Sequence, residues 1–411
     1  MNGGTTFLTR ICRRMHTLGK RPAVLVMFDD MDQELHEELK KHATVFYLWK
    51  YVPSFGKVLP SRLQTFGPIK WRKLLADLDQ YSEHVHVMGV FGLMFAYRLF
   101  GKVVRTPTLS VGVYHQNEFL YDSKGRLFPR EAQRIFRDVP SRNIVFFNES
   151  TKENYERFFS KDYSEAAVVP IGIDIQNHTP SARRKPFRIV SVGNLVDFKT
   201  YNEHVIRIVA SLRVQFPDIS YHIYGTGQTH DRLESLIREL DVSKQVQIKG
   251  LIPYAEFNDV VGEASVFVGS GTALLEAASL GIPALIGIES IAQPQTYGFL
   301  CDVPGLSYNE YIDEYNKLEM QMCIAQVLSD FNLANEIGNK CKAKAKRFSI
   351  DETVSGIMRL SGRDFIPPRI KSMKLWLLAF FLIETAILEK TQKEPSFGDR
   401  RNQSFSAHSQ R

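Results

Sequence analysis

The sequence predicts an α/β protein built from two tandem domains, each a doubly wound parallel sheet. Three observations carry that expectation. Short apolar runs recur along the chain at a spacing that leaves room for one helix between neighbours. Most of these runs are apolar throughout, as strands buried on both faces should be. The rhythm breaks once, at residues 171–186, where a polar, proline-bounded stretch ending Ser181-Ala182-Arg183-Arg184-Lys185-Pro186 intervenes, and then it restarts. Such a stretch reads as an interdomain linker. At 411 residues the chain is long enough to fill two cores.

In the first domain, residues 1–170, Ala23–Phe28 reads as a strand, followed by a polar turn and an amphipathic helix from about Asp32 to Lys41. Thr44–Leu48, His84–Val87, Leu109–Tyr114, Asn143–Phe147 and Ala167–Val169 are further strands, with an apolar helix at Leu93–Phe100. Asn148 or Ser150 caps the helix after the fifth strand. In the second domain, residues 187–362, Arg188–Val192 ends in Gly193-Asn194, and a helix after Thr200 carries Val205, Val209, Leu212 and Phe216 on one face. Ser220–Tyr224 ends in Gly225-Thr226-Gly227, and a helix follows with Leu233, Leu236, Ile237 and Leu240 at core spacing. Val246–Lys249 is the next strand and Ala255–Glu263 the next helix, with helices dominating after Asn309. Residues 363–390 hold an apolar run, Leu375–Leu388, that contains Glu384 and is flanked by Lys371, Lys374 and Lys390. It is shorter than the roughly 20 residues a membrane span needs, so it either packs across the two domains or lies on a membrane surface. Residues 391–411 are polar and read as a disordered tail.

The stretch from Ser265 to Gly287 is the one most suggestive of a ligand. A buried strand (Ser265–Val268) runs through Gly269, Ser270 and Gly271 into a helix (Thr272–Leu280) and a second strand (Ala284–Ile286). Glycines at a strand's carboxyl end let backbone approach a ligand. The helix opened by Thr272 points free N–H groups and its positive dipole end at that place, which suits a phosphate. Glu276, one turn in, is placed to accept hydrogen bonds from sugar hydroxyls.

Composition narrows the classes. The cysteines, Cys12, Cys301, Cys323 and Cys341, form no CxxC pair, which argues against a zinc site or disulfide framework and fits a reducing compartment. Arg10, Arg13 and Arg14 are not followed by an apolar core region, so no secretory signal is expected. The net charge of +7 favours anionic partners. Asp29, Asp30 and Asp32 resemble a metal-binding Asp-x-Asp pattern, but their place between a strand and a helix fits capping of N–H groups, and no metal is expected. Between Glu38 and Asp77 there is no acid, while Lys50, Lys57, Arg62, Lys70, Arg72 and Lys73 are interleaved with Tyr51, Phe55, Phe66 and Trp71. Residues 50–73 therefore suit a surface meeting anionic lipid headgroups or a lipid-diphosphate acceptor. Nothing resembles a nucleic-acid reader module.

Four segments, in order, resemble the family 4 or group 1 type of GT-B glycosyltransferase: Val168-Val169-Pro170-Ile171-Gly172-Ile173-Asp174; Ser191 to Lys199; His222 to Gly227; and Gly271 to Pro283. The resemblance covers about Val168 to Gly287, and the first domain matches in layout only. It implies two Rossmann-like domains facing across a cleft and a metal-independent, retaining transfer of a sugar from a UDP- or GDP-sugar, with no cofactor besides that donor. The acceptor implied is a saccharide or lipid-linked saccharide in surface polysaccharide or glycolipid synthesis, with the enzyme cytoplasmic and peripheral to the inner membrane face. Lys199 stands where the family keeps a phosphate-binding lysine. Gly193, Asn194, Gly225, Thr226, Gly227, Ser270, Gly271 and Thr272 line the implied donor rim, and Glu276 matches a ribose-binding glutamate. His115, in Val113-Tyr114-His115-Gln116-Asn117-Glu118, is the first-domain residue expected to contact the donor sugar. Glu118 is the base if the reaction inverts, and His84 and His86 are expected to be strand residues. Two positions depart from the pattern: Asn194 replaces an arginine, and Val268 stands where a sugar-facing glutamate is usual, eight residues before Glu276. These departures favour one rival, a degenerate member that binds a nucleotide sugar or a partner without catalysis; a second rival is a nucleotide-sugar epimerase on the same fold, which would need no separate acceptor.

Overall fold

The computed structural model describes residues 3–29, 33–81, 83–103, 107–120, 127–175, 184–360, 365 and 372–391. The chain divides into two compact units. One comprises residues 2–169 together with 351–411, and the other residues 170–350.

In the first unit, β1 (Ala23–Val26) and β2 (Thr44–Tyr47) form a parallel pair. A separate four-stranded parallel sheet runs in the order β3 (His84–Met88), β4 (Thr108–Val113), β5 (Ile144–Phe146), β6 (Ala167–Val168). Every residue of β4 and β5 is buried, which explains the wholly apolar β5 and the mostly apolar β4. The helix Gly89–Phe100 is buried on nearly every side and fills the core beside them. Asn148 caps the helix Glu149–Phe159, its side-chain oxygen accepting from Thr151 N at 2.7 Å.

Two helices of this unit depart from the sequence reading. Gly3–Thr17 is helical and was not expected; its Phe7, Ile11 and Cys12 are buried, at the i, i+4 and i+5 positions of one face. The apolar run near the end extends to a helix of Ser372–Thr391. Leu378 enters the first unit's core beside the helix Leu127–Arg137, while Trp376, Phe380, Ile383 and Ile387 are exposed. Their spacing of four, three and four places them on one outward stripe. Among the described residues no helix is long and apolar enough to cross a membrane. The tail from residue 392 lies outside the described residues, as do Asp30 and Asp32; Asp29 is exposed.

The polar side chains of β3 are satisfied within the sheet. His84 Nε2 and His86 Nδ1 both bond Ser110 Oγ on β4, at 2.7 and 2.8 Å, and His86 Nε2 meets Tyr114 OH at 2.6 Å. Burial, with a smaller contribution from neighbouring His84, holds the His86 pKa down to about 3.

The second unit is built on a five-stranded parallel sheet in the order β11 (Ala284–Ile286), β10 (Val266–Gly269), β7 (Arg188–Val192), β8 (Ser220–Tyr224), β9 (Val246–Gly250), with a short antiparallel pair, Gln295–Thr296 and Leu318–Glu319, following it in sequence. The chain moves outward from β7 to β9 and then crosses to β10 on the other side. The order therefore reverses between β7 and β10, where α/β sheets hold ligands outside the strands' carboxyl ends. Beneath that point, Ser191 Oγ on β7 donates to Val268 O at 2.6 Å and meets Tyr221 OH at 2.8 Å, which in turn bonds Asn202 Oδ1 at 3.0 Å. Three strands and the helix Tyr201–Leu212 are thus tied by one buried polar chain.

Above it the loops after β7 and β8 run backbone on backbone. Gly193 N donates to Tyr224 O and Leu195 N to Thr226 O, both at 2.9 Å. A Cβ on Gly225 would lie 1.9 Å from Gly193 O, and one on Gly227 would lie 2.2 Å from Leu195 O.

Two outcomes follow from these contacts. Gly225→Ala forces the two loops apart at a positive φ and should cost about 2 kcal/mol or more, read as a fall in urea midpoint. His86 is kept neutral when folded, so its contribution is fully present above pH 6.5 and is lost as pH falls towards 3. Denaturation curves of the wild type should lose about 1.4 kcal/mol per pH unit from this group, and His86→Leu should flatten that slope whatever its stability at pH 7.

Candidate functional site

The site grows from the switch point of the second unit. Gly269 ends β10, Ser270 is extended, and the helix Gly271–Ser279 begins. Ser270 is the N-cap residue, yet its hydroxyl does not cap the helix. It donates instead to Glu289 Oε1 at 3.0 Å. No acidic residue occupies the first turn, so the positive end of this helix is met by no carboxylate of its own. Gly271 faces open space: a Cβ there would meet nothing within 4 Å.

Lys199 is brought to the same place by its loop. A Cβ on Gly193 would lie 2.6 Å from Lys199 Nζ, so the amine rests against the bare glycine. The loop itself is fastened on two sides. Thr229 N donates to Leu195 O at 3.2 Å, and Asp197 pairs with Arg232 at 3.0 Å and accepts from Gln228 at 3.0 Å. On the other side Ser290 N donates to Phe198 O at 2.7 Å and Thr200 Oγ1 to Ile291 O at 2.8 Å. Asn194, Thr226 and Gly227 are exposed on this rim, whereas Gly225 is buried in the contact between loops.

Glu276 is buried on the flank of the helix and lines a cavity of about 270 Å³ with Asp174, Tyr254, Asn258, Ser279 and Leu280. Tyr254 OH lies 3.5 Å from Glu276 Oε1. Val268 is fully buried inside β10, with its carbonyl bound by Ser191, so this side chain takes no part in the rim. Asp174, Tyr254, Asn258 and Glu289 were not singled out by sequence reasoning as site residues. Asp174 ends the segment Val168–Asp174; the others carry no local pattern, and only the fold brings them here.

Burial pushes the Glu289 carboxyl up to about 7, the positive charge of Lys199 pulls it down, and Glu310 raises it again. Tyr308, buried near Glu310, Glu289 and Glu276, is held well above the ordinary phenol range, chiefly by burial. Glu289, bonded to Ser270 at the head of the helix, thus lies within electrostatic reach of Lys199 and Glu310.

His115 and Glu118 belong to the first unit, in the turn after β4. Glu118 is buried, its N donates to His115 O at 3.1 Å, and its Oε2 accepts from Tyr114 N at 2.8 Å. The carboxylate closes its own turn, and His115 is half-buried at the turn's start.

Comparison with known proteins agrees with this geometry. Residues 174–334 match the family model described as glycosyl transferases group 1. A curated relative from Campylobacter jejuni, an N-acetylgalactosamine-N,N'-diacetylbacillosaminyl-diphospho-undecaprenol 4-alpha-N-acetylgalactosaminyltransferase, is 24% identical over 79% of this chain and 87% of its own. The GtfA subunit of a UDP-N-acetylglucosamine–peptide N-acetylglucosaminyltransferase from Streptococcus pneumoniae is 26% identical over 36% of this chain; the match spans 30% of that relative's length. Among solved structures, Anabaena HepE in complex with UDP and glucose aligns at a TM-score of 0.60 and 13% identity, over 87% of this chain and 95% of that one. A glycosyltransferase from Rickettsia africae aligns at 0.61 and 13% identity, over 88% and 95%. The two parallel sheets are those of the GT-B fold. The helix head, the lysine loop and the matched segment coincide within residues 170–350, and that segment is similar to the group 1 glycosyltransferases.

Proposed function

We propose that the protein transfers a sugar from a nucleotide-sugar donor, UDP being the nucleotide we favour, to a saccharide or lipid-linked saccharide acceptor. The observation that carries this reading is the convergence of Lys199 with a helix N-terminus whose own cap serine is engaged elsewhere. A glycosyl donor departs as a diphosphate, so the reaction needs fixed positive charge where negative charge grows. Lys199 and the amides of Gly271 and Thr272 supply it without reorganising. Glu276 accepts hydrogen bonds from the ribose, and the cavity beside Tyr254 and Asn258 takes the base. Transfer proceeds with retention in this reading. The UDP held by the Anabaena neighbour and the lipid-diphosphate substrate named for the Campylobacter relative support the donor and acceptor classes.

A non-catalytic donor-binding role is favoured by one feature: Val268 is sealed within its strand where the family resemblance expects an acid. Turnover separates the readings. UDP-sugars should raise the melting temperature of the wild type, and Lys199→Ala should remove most of that rise. It should also lower sugar transfer by about 100-fold or more. Donor binding with no transfer to any polyprenyl-linked or free saccharide would leave the non-catalytic role.

The acceptor side is peripheral to an anionic membrane in this reading. Lys50, Lys57, Arg62, Lys70, Arg72 and Lys73 are exposed, and Phe55 and Val58 are 72% and 85% exposed beside Lys57. Tyr51 and Phe66, by contrast, are buried in the core. Phe55→Ser with Val58→Ser should lower co-sedimentation with vesicles containing phosphatidylglycerol several-fold and leave neutral-vesicle binding unchanged.

A further inference from the structure

We infer that Glu289 faces the glycosyl group of the bound donor and positions it through its hydroxyls; the inference rests on the donor-site reading above. Glu289 belongs to no motif that the sequence singles out. It follows β11 on the carboxyl edge of the sheet, where its loop touches each part of the proposed phosphate site. Its carboxylate accepts the Ser270 hydroxyl at the helix head. The next residue, Ser290, is bonded through its N–H to Phe198 O, in the Lys199 loop. Lys199 acts on it electrostatically. From the remaining side, Glu289 N donates to Asn309 O at 3.0 Å, and Asn309, Glu310 and Tyr308 face it.

The sign of the charge is the argument. A site for phosphate alone gains nothing from a carboxylate beside its lysine, because two anions repel there. A hydroxyl-rich group is different, since each O–H can donate to a carboxylate oxygen in a strong charge-assisted bond. A half-buried acid flanked by Glu310 is also costly to keep. That cost is consistent with a binding role, and such perturbed acids concentrate at functional sites. The expected ligand chemistry is therefore a polyhydroxylated ring attached to the diphosphate, with Glu289 holding its hydroxyls and Lys199 the phosphates. Val268, sealed inside β10, supplies no carboxylate, and Glu289 reaches the helix head from the loop after the neighbouring strand.

The test is calorimetric binding of UDP, UDP-glucose and UDP-N-acetylglucosamine to wild type, Glu289→Gln and Glu289→Asp, with melting temperatures as the folding control. Glu289→Gln is nearly isosteric and can keep a bond with Ser270. Expected is UDP affinity within about twofold of wild type for both variants, and a loss of at least tenfold for whichever UDP-sugar the wild type prefers, with a matching fall in kcat. Equal losses for UDP and UDP-sugar, or none for either, would overturn the inference and leave Glu289 a structural tie between loops. A wild type that binds no UDP at all overturns the donor-site reading itself, a distinct outcome.

Discussion

Everything proposed for the second unit depends on the direct contact of two loop backbones, Gly193–Leu195 against Tyr224–Gly227. Loops at the carboxyl ends of parallel strands have no ladder to satisfy their N–H and C=O groups, so they ordinarily turn to water. Here they pair with each other, and the pairing leaves no room for a side chain between them. The Lys199 loop becomes an extension of the sheet. Its ammonium is then placed by the fold rather than by its own flexible stem.

The same economy governs the helix head. Ser270 Oγ is turned towards Glu289, to which it donates, and it accepts no bond from the helix, which leaves the first-turn amides without their usual local acceptor. A helix would be steadier with its cap, so the arrangement favours an external anion over intrinsic stability. The buried chain from Asn202 through Tyr221 and Ser191 to Val268 O holds β7, β8 and β10 in fixed register below, so the head of the helix and the lysine loop share one rigid floor.

Much of this architecture was legible in the sequence because parallel strands are buried on both faces. Arg188–Val192, Ser220–Tyr224 and Ala284–Ile286 were read to the residue. The helix expected from Ala255 to Glu263 is shorter, Phe257–Gly262 after a 3-10 turn at Tyr254–Glu256, because Pro253 fixes a non-helical entry. The helix Gly3–Thr17 escaped because its apolar face is interrupted by threonine and arginine, two of which, Thr9 and Arg10, are themselves buried. At the site, Lys199, Gly271 and Glu276 are visible from motif spacing. Glu289 is not, because its environment is assembled by Ser270 and residues 308–310, none of which is a sequence neighbour. The glycines Gly225 and Gly227 look in sequence like ligand-facing glycines, but in the folded chain the room each Cβ would need is taken by backbone.

The division of the chain has a bearing on biosynthesis. Residues 170–350 are one uninterrupted segment, but the other unit is assembled from residues 2–169 and 351–411. Leu378 is 1% exposed in a core otherwise built from residues before 170. On a ribosome the first unit to begin is therefore the last to be completed, with Val90 to Phe100 and Phe128 to Phe136 waiting for a helix more than 200 residues downstream. At roughly 5–20 residues per second that interval lasts about ten seconds or more. During it the donor-side unit can close, while the first unit presents an unfinished apolar surface to chaperones.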